Sequence, residues 1–229
     1  RTELTLQCVG KYLRKWGMTP QRPCRQAIER NDEKVQQWLD VQYPEIAQRA
    51  KEEKAIIYWS DETAIKHDCN WVTGYAPKGQ TPVLKCPDGR WTTATMVSAI
   101  SNRGLLRFKI QDRPMTKESF VEFLASMILD EPKKIFLIVD NLRVHRSKYV
   151  TEWVEAHKDR IELFFLPPYA PDLNPDEYVN RAVKTDIRSR TPAKTEQLRM
   201  RVQRFMNKAS RCKDFIRKIF ELDAVNYAA

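Results

Sequence analysis

The apolar positions change period at Ala55, and the change divides the chain. Upstream, Leu6, Val9, Leu13 and Trp16 recur at helical spacing, with Gly17 placed to close that helix and Pro20 to bar its return. Residues 21–53 are polar and charged, punctuated by Pro23 and Pro44. Within them Ile28, Val35, Trp38 and Leu39 predict one helix, and Ile46, Ala47 and Ala50 a short second one. From Ala55 short apolar runs predict strands instead: Ile56–Ser60 ending at Asp61, Thr93–Ser101, Leu105–Gln111, Ile135–Val139 and Ile161–Leu166. Asn102-Arg103-Gly104 marks a tight hairpin, and Trp71 to Pro82 a turn-rich excursion with exposed aromatics. Thr116 caps a helix striped by Phe120, Phe123, Leu124, Met127 and Ile128, which is core. Another helix from about Ser147 buries Val150, Trp153 and Val154. Beyond the break at Thr191-Pro192, Leu198, Val202, Phe205 and Met206 stripe a further one.

Three meandering strands, helix, strand, helix, strand, helix is the order of an α/β, ribonuclease H-like fold: a mixed five-stranded sheet flanked by helices. That fold sets the ends of strands one and four side by side at the sheet centre. The resulting division is an N-terminal helical segment over 1–20, a helical linker over 21–53, the α/β domain over 54–190 and basic C-terminal helices over 191–229.

The chemistry concentrates at those strand ends. Ile135-Phe-Leu-Ile-Val ends abruptly in Asp140-Asn141, and Ile56-Ile-Tyr-Trp-Ser ends in Asp61. The proline-stiffened run Leu166-Pro-Pro-Tyr-Ala-Pro-Asp-Leu-Asn-Pro-Asp-Glu177 opens a helix, with Asn174 as its cap, Pro175 in its first position and Glu177 in its third. Three acids on rigid elements can hold a pair of hard, oxygen-seeking metal ions. Each also has a purely structural reading: Asn174-x-x-Glu177 is a capping-box variant, and Asp140-Asn141 can turn the chain. Their joint placement, with His145 five residues past Asp140, favours a site. His145 has two readings, contact with the scissile region or a position over the helix start.

Composition narrows the function class. The 229 residues carry a net charge of +10, with 42% hydrophobic and 31% charged residues, and no apolar run of membrane-spanning length. With no signal peptide visible, the expectation is an intracellular, cytoplasmic protein. Its five cysteines are scattered without a C-x-x-C pair, and His67 near Cys69 reads as coincidence rather than half a metal site. Between Arg181 and Lys218 thirteen Lys/Arg face three acids, so this stretch carries the whole excess. A basic surplus confined to one helical region points to a polyanion. Lys11, Arg14 and Lys15 make the opposite face of the first helix basic as well.

Ser60-Asp61-Glu62-Thr63, Asp140-Asn-x-x-x-His145 and Pro171-Asp-Leu-Asn-Pro-Asp-Glu177 resemble the three signatures of the DDE transposases. More narrowly they resemble the bacterial insertion-sequence branch of the mariner-like superfamily, with 36 residues between Asp140 and Glu177. The resemblance runs over nearly the whole chain and is most specific in the Pro-Asp-Leu-Asn-Pro-x-Glu motif. It implies a DNA transposase that uses two Mg2+ (or Mn2+) ions, with Asp61, Asp140 and Glu177 as catalytic metal ligands. Cleavage at transposon ends and strand transfer into target DNA would follow. Asn141, His145, Asn180 and Lys184 would be auxiliary residues at the site, Asn180 and Lys184 by contact with its DNA. The resemblance also makes Val9 to Pro20 the last helix of a helix-turn-helix domain whose earlier helices are absent, in a chain read as a fragment because it begins at Arg1. DNA contacts are expected from Lys11, Arg14, Lys15, Arg181, Arg188, Arg190, Arg201 and Arg204, and a homodimer on paired double-stranded ends. The resemblance also makes the cytoplasmic location bacterial and nucleoid-associated. The rival readings are a ribonuclease H-like nuclease without joining activity and a non-catalytic DNA-binding relic.

Overall fold

The computed structural model describes residues 5–20, 26–66, 77, 80, 93–189 and 195–229, the side chains of 93, 188, 189, 195 and 196 excepted. His67, Cys69, nearly all of the Trp71–Pro82 excursion, the Arg188 side chain, Arg190 and the Thr191-Pro192 break lie outside the described residues. The chain forms two units, Arg1–Arg30 and Asn31–Ala229.

In the first unit, α1 (Leu6–Lys15) begins at Thr5, whose hydroxyl accepts from the Cys8 N–H, and carries Lys11, Arg14 and Lys15. Gly17 ends it at φ +76, where a side chain would be strained; its N–H reaches the Arg14 carbonyl and that of Met18 reaches Leu13.

The second unit starts earlier than the expected linker boundary. Asn31 caps α2 (Asp32–Gln37), which runs through a π-helical turn, Trp38–Gln42, into α3 (Tyr43–Glu52). Pro44 follows that turn directly; a residue without an N–H is accommodated where the α-helical ladder is already interrupted. Val35, Trp38, Tyr43, Ile46 and Ala50 join the same core as Trp59, so residues 31–53 are part of this unit's packing, while Ile28 lies outside these helices.

The sheet has the order β3-β2-β1-β4-β5. β1 (Ile56–Lys66), β2 (Thr93–Ile100) and β3 (Leu106–Gln111) form an antiparallel meander; β4 (Ile135–Val139) and β5 (Ile161–Phe165) continue it in parallel. The hairpin between β2 and β3 needs glycine: Gly104 has φ +82, and a Cβ there would lie 2.8 Å from the Lys213 carbonyl. β1 is longer than its apolar run suggested. It pairs with β4 only up to Trp59↔Ile138 but with β2 through to Lys66↔Thr93, so Asp61 is inside a strand, just past the end of the parallel ladder.

Both faces are covered, and the period-two alternation decides which residue goes where. Trp59, Met96, Ile100, Phe136 and Ile138 pack against Val179, Val183 and Ile187 of α6 (Asp176–Ser189) and Leu198, Val202 and Met206 of α7 (Thr195–Arg211). Tyr58, Val97, Ala99, Leu137 and Val139 meet Phe120, Phe123, Leu124 and Met127 of α4 (Lys117–Asp130) and Val150 of α5 (Lys148–Ala156). Each such buried side chain contributes about 1.5–3 kcal/mol. The Thr116 cap of α4 forms a reciprocal box with Ser119. After α7, α8 (Lys213–Ile219) buries Ile216 and Ile219 in the first of these cores.

Candidate active site

By strand parity Asp61 follows Ile57 and Trp59 onto the face covered by α6, and Glu62 follows Tyr58 onto the face covered by α4. Asp140 follows directly on the last residue of β4, and Glu177 stands in the first turn of α6. The three acids line one cleft of about 390 Å3 with Asn141, Leu142, Asn174 and the wall from Leu166 to Pro171. Among the described residues no Lys, Arg or His lines it.

The helix start shows why Glu177 is available. Asn174 caps α6 as expected: its Oδ1 accepts from the Asp176 N–H at 3.1 Å, and its Nδ2 donates to the Ser60 carbonyl at 3.0 Å, pinning the helix to β1. A capping box would send the Glu177 carboxylate back to the Asn174 N–H, but that N–H donates to Pro171 O at 2.9 Å. The cap is complete without Glu177, whose carboxylate has no hydrogen-bond partner among the described residues.

Asp61 is held from two sides. Asn180 Nδ2 donates to its Oδ2 at 2.6 Å, and its backbone N–H donates to Asp176 Oδ2 at 3.1 Å. Burial, then the charge of Glu177, pushes its carboxyl from 3.8 up to about 7; Asp140 adds to the rise and the Asn180 hydrogen bond opposes it. Asp176 was not anticipated. It is fully buried, receives Ser98 Oγ at 2.6 Å as well, and leaves Oδ1 without a partner. Burial drives its carboxyl well above the ordinary value, against the Ser98 hydrogen bond. A signal did exist: Asp176 heads the helical stripe Val179, Val183, Ile187, where an apolar residue belongs.

His145 lies behind the acids and is not among the residues lining the cleft. It is 2% exposed and packs on Phe120 with ring centroids 4.4 Å apart. Nδ1 is 3.1 Å from Asp140 Oδ1 and Nε2 is 3.1 Å from Glu62 Oε1, a second acid the sequence reading did not single out. Burial alone would lower its pKa, but the bonds to Asp140 and Glu62 outweigh it and raise it from 6.5 to about 9. The imidazolium thus orients Asp140, whose Oδ1 also accepts from the Leu142 N–H at 3.0 Å. Asn141 lines the cleft but spends its amide on the chain: Nδ2 donates to the Leu166 carbonyl, and Oδ1 accepts from Arg146.

The other expected residues scatter. Asn180 is buried behind Asp61, and Lys184, one turn further on, is half-buried on α6 and does not line the cleft. Arg181 lies over the Tyr178 ring at 5.0 Å. Arg201 is paired within the chain, its Nε 2.9 Å from Asp186 Oδ2. Arg204 is exposed on α7.

Three carboxylates with only oxygen donors suit a hard divalent cation, and the raised pKa of Asp61 marks the excess negative charge such an ion relieves. The carboxylates share a cleft without forming a closed ligand set: among the described residues no three His, Cys, Asp or Glu side chains are grouped to grip an ion as they stand.

A fold with paired acids at the centre of a mixed sheet defines a class, and the comparisons agree on it. The family model described as DDE superfamily endonuclease matches residues 56–199, and the chain belongs to that family. A winged helix-turn helix model matches residues 1–42. Among solved structures, the Mos1 mariner paired end complex with Mn is 14% identical over 99% of this chain and 72% of its own, with a TM-score of 0.68. The Mos1 transposase catalytic domain with Raltegravir and Mg is 11% identical over 88% of this chain and 98% of its own, with a TM-score of 0.58. A search of the curated proteins finds no match. No helix among the described residues is long and apolar enough to cross a membrane.

Proposed function

We propose that this protein is a DNA transposase of the bacterial insertion-sequence branch, cutting DNA at transposon ends and joining the freed 3′ ends to target DNA. The observation that carries the reading is one cleft lined by Asp61, Asp140 and Glu177 with no cationic side chain among its described walls, where burial and the neighbouring acids push Asp61 to about 7. The Mg2+ or Mn2+ named with the Mos1 structures supports the same chemistry.

Asp61, Asp140 and Glu177 are the residues to hold two divalent ions. When bound, such ions activate the attacking oxygen of water or a 3′-hydroxyl and neutralise charge on the leaving oxygen. The remaining work belongs to the chain. Asn180 fixes one oxygen of Asp61, Asp176 fixes its backbone, and the His145 imidazolium fixes Asp140. Asp61, raised to about 7, must give up its one carboxyl proton to serve as a ligand, so cation binding at this site would depend on pH near neutrality. The basic side chains of α7 hold phosphates without reading bases, and α1 with its neighbouring residues recognises the ends. The protein works as a homodimer on double-stranded DNA in the bacterial cytoplasm, associated with the nucleoid.

The test is cleavage of DNA carrying the element's own ends, by the full-length protein, with Mg2+, Mn2+ or EDTA. Metal-dependent cuts at the ends followed by joined products support the reading. Cuts without joined products would leave a nuclease, and binding without cuts a relic.

A further inference from the structure

One wall of the cleft has a feature that neither metal binding nor folding accounts for. Tyr169 sits at φ +57, in the left-handed region that a bulky side chain avoids, and the residue is 57% exposed. Among the described non-glycine residues only Lys54 shares that conformation, and it occupies the tight turn between α3 and β1. Tyr169 stands between Pro167-Pro168 and Ala170-Pro171, in a segment whose neighbours Leu166 and Ala170 are buried. A turn that needed only a left-handed residue would be better served by Gly or Asn. The strain instead holds a large aromatic ring in solvent at the mouth of the acid cleft, and local strain kept at a site is a mark of use.

The walls say what the ring meets. Acids form one side, and Leu142 (41% exposed), Leu166, the prolines and Tyr169 form an apolar other side. Its volume of about 390 Å3 falls within the range of small-ligand sites, roughly 300–1,000 Å3. A nucleotide has matching halves: a phosphate that reaches carboxylates through divalent cations, and a flat apolar base. We propose that Tyr169 stacks on an unpaired nucleobase next to the scissile phosphate, holding the strand in place by a contact that every base can make. This inference rests on the DNA-cleaving reading above. It makes Tyr169 a substrate-positioning residue that favours distorted or frayed DNA over a perfect duplex, because an already unpaired base costs least to withdraw.

The experiment uses the full-length protein and two DNA probes, a perfect duplex and the same duplex with one unpaired 2-aminopurine. Calcium replaces magnesium so that binding is read without cleavage. Wild type and Tyr169→Phe are expected to quench the 2-aminopurine and to prefer the distorted probe. Tyr169→Asn tolerates the left-handed backbone but lacks the ring. It is expected to melt no lower than wild type, to leave the probe bright, and to bind the distorted DNA roughly 5- to 150-fold more weakly, the equivalent of one lost base stack. Its affinity for the perfect duplex should not change. Equal quenching and equal preference in wild type and Tyr169→Asn would overturn the stacking role. Cleavage in Mg2+ is scored separately. Wild type that quenches but never cuts sinks the nuclease reading and keeps the stack, whereas wild type that cuts while Tyr169→Asn still quenches does the reverse.

Discussion

The acid cleft and the outer face of α7 carry opposite charges and are built on opposite principles. In the cleft every catalytic candidate except Glu177 is tied down: Asp61 by Asn180 and Asp176, Asp140 by His145. On α7, Arg204, Lys208 and Arg211 line a shallow groove with Arg199, Met200, Gln203 and Asn207. Arg199 is paired with Asp112 at 2.9 Å, but no partner among the described residues holds the other three cations. Precision needs a supporting shell of hydrogen bonds, because metal-bound chemistry fails when a ligand shifts. Phosphate contacts along a duplex need only loose, sequence-blind charge, and long side chains supply it better when left free.

Removing one charge from each region should therefore have unequal effects. The largest is expected from Asp140→Asn, which keeps the shape and loses the charge a hard cation needs. Single-turnover cleavage should fall by about a thousandfold or more, while DNA affinity stays within about twofold. Near-normal cleavage would reduce Asp140 to a turn former.

Next is Asp176, which should act through stability. Asp176→Ala leaves the Asp61 N–H and the Ser98 hydroxyl unpaired in the core, at a cost of about 1–3 kcal/mol in urea unfolding. Asp176→Asn keeps an acceptor oxygen for both donors and should lose less than half as much. Equal losses from both variants would show that these two accepted hydrogen bonds are not what Asp176 contributes.

His145 sharpens the same region through pH. Its folded pKa of about 9 lies above the ordinary imidazole value of 6.5. The stabilisation is therefore fully present below 6.5 and is lost as pH rises through about 9. The unfolding midpoint of the metal-free protein should drop across that window, and His145→Gln should flatten the drop. An unchanged slope in the variant would assign the titration elsewhere.

The smallest effects are expected on α7. Arg204→Ala should weaken binding to specific and random DNA alike, with the salt slope reduced by about one and single-turnover cleavage unaffected at saturating protein. Arg201→Ala, by contrast, breaks an ion pair with Asp186 and should leave the salt slope alone. A slope change from Arg201 equal to that from Arg204 would erase the distinction between structural and free cations on this helix.

The sequence by itself determined the strands, the helices that cover them and the three acids, because each is a local pattern. An alternating or apolar run makes a strand, a stripe makes a helix, and Asn174-Pro175 starts α6 wherever it docks. β4 and the buried stripe of α4 were legible for that reason. Tertiary structure alone decided what those residues meet. β1 runs on past Asp61 because β2 continues to pair with it, which no reading of Ile56–Ser60 contains. Glu62 becomes the partner of His145, and Asp176 the anchor of Asp61, through contacts spanning 83 and 115 residues of chain. Arg201 meets Asp186 through the same kind of tertiary contact, between α6 and α7. Burial and charge pairing depend on which distant segments are brought together, and so do the pKa values that follow from them.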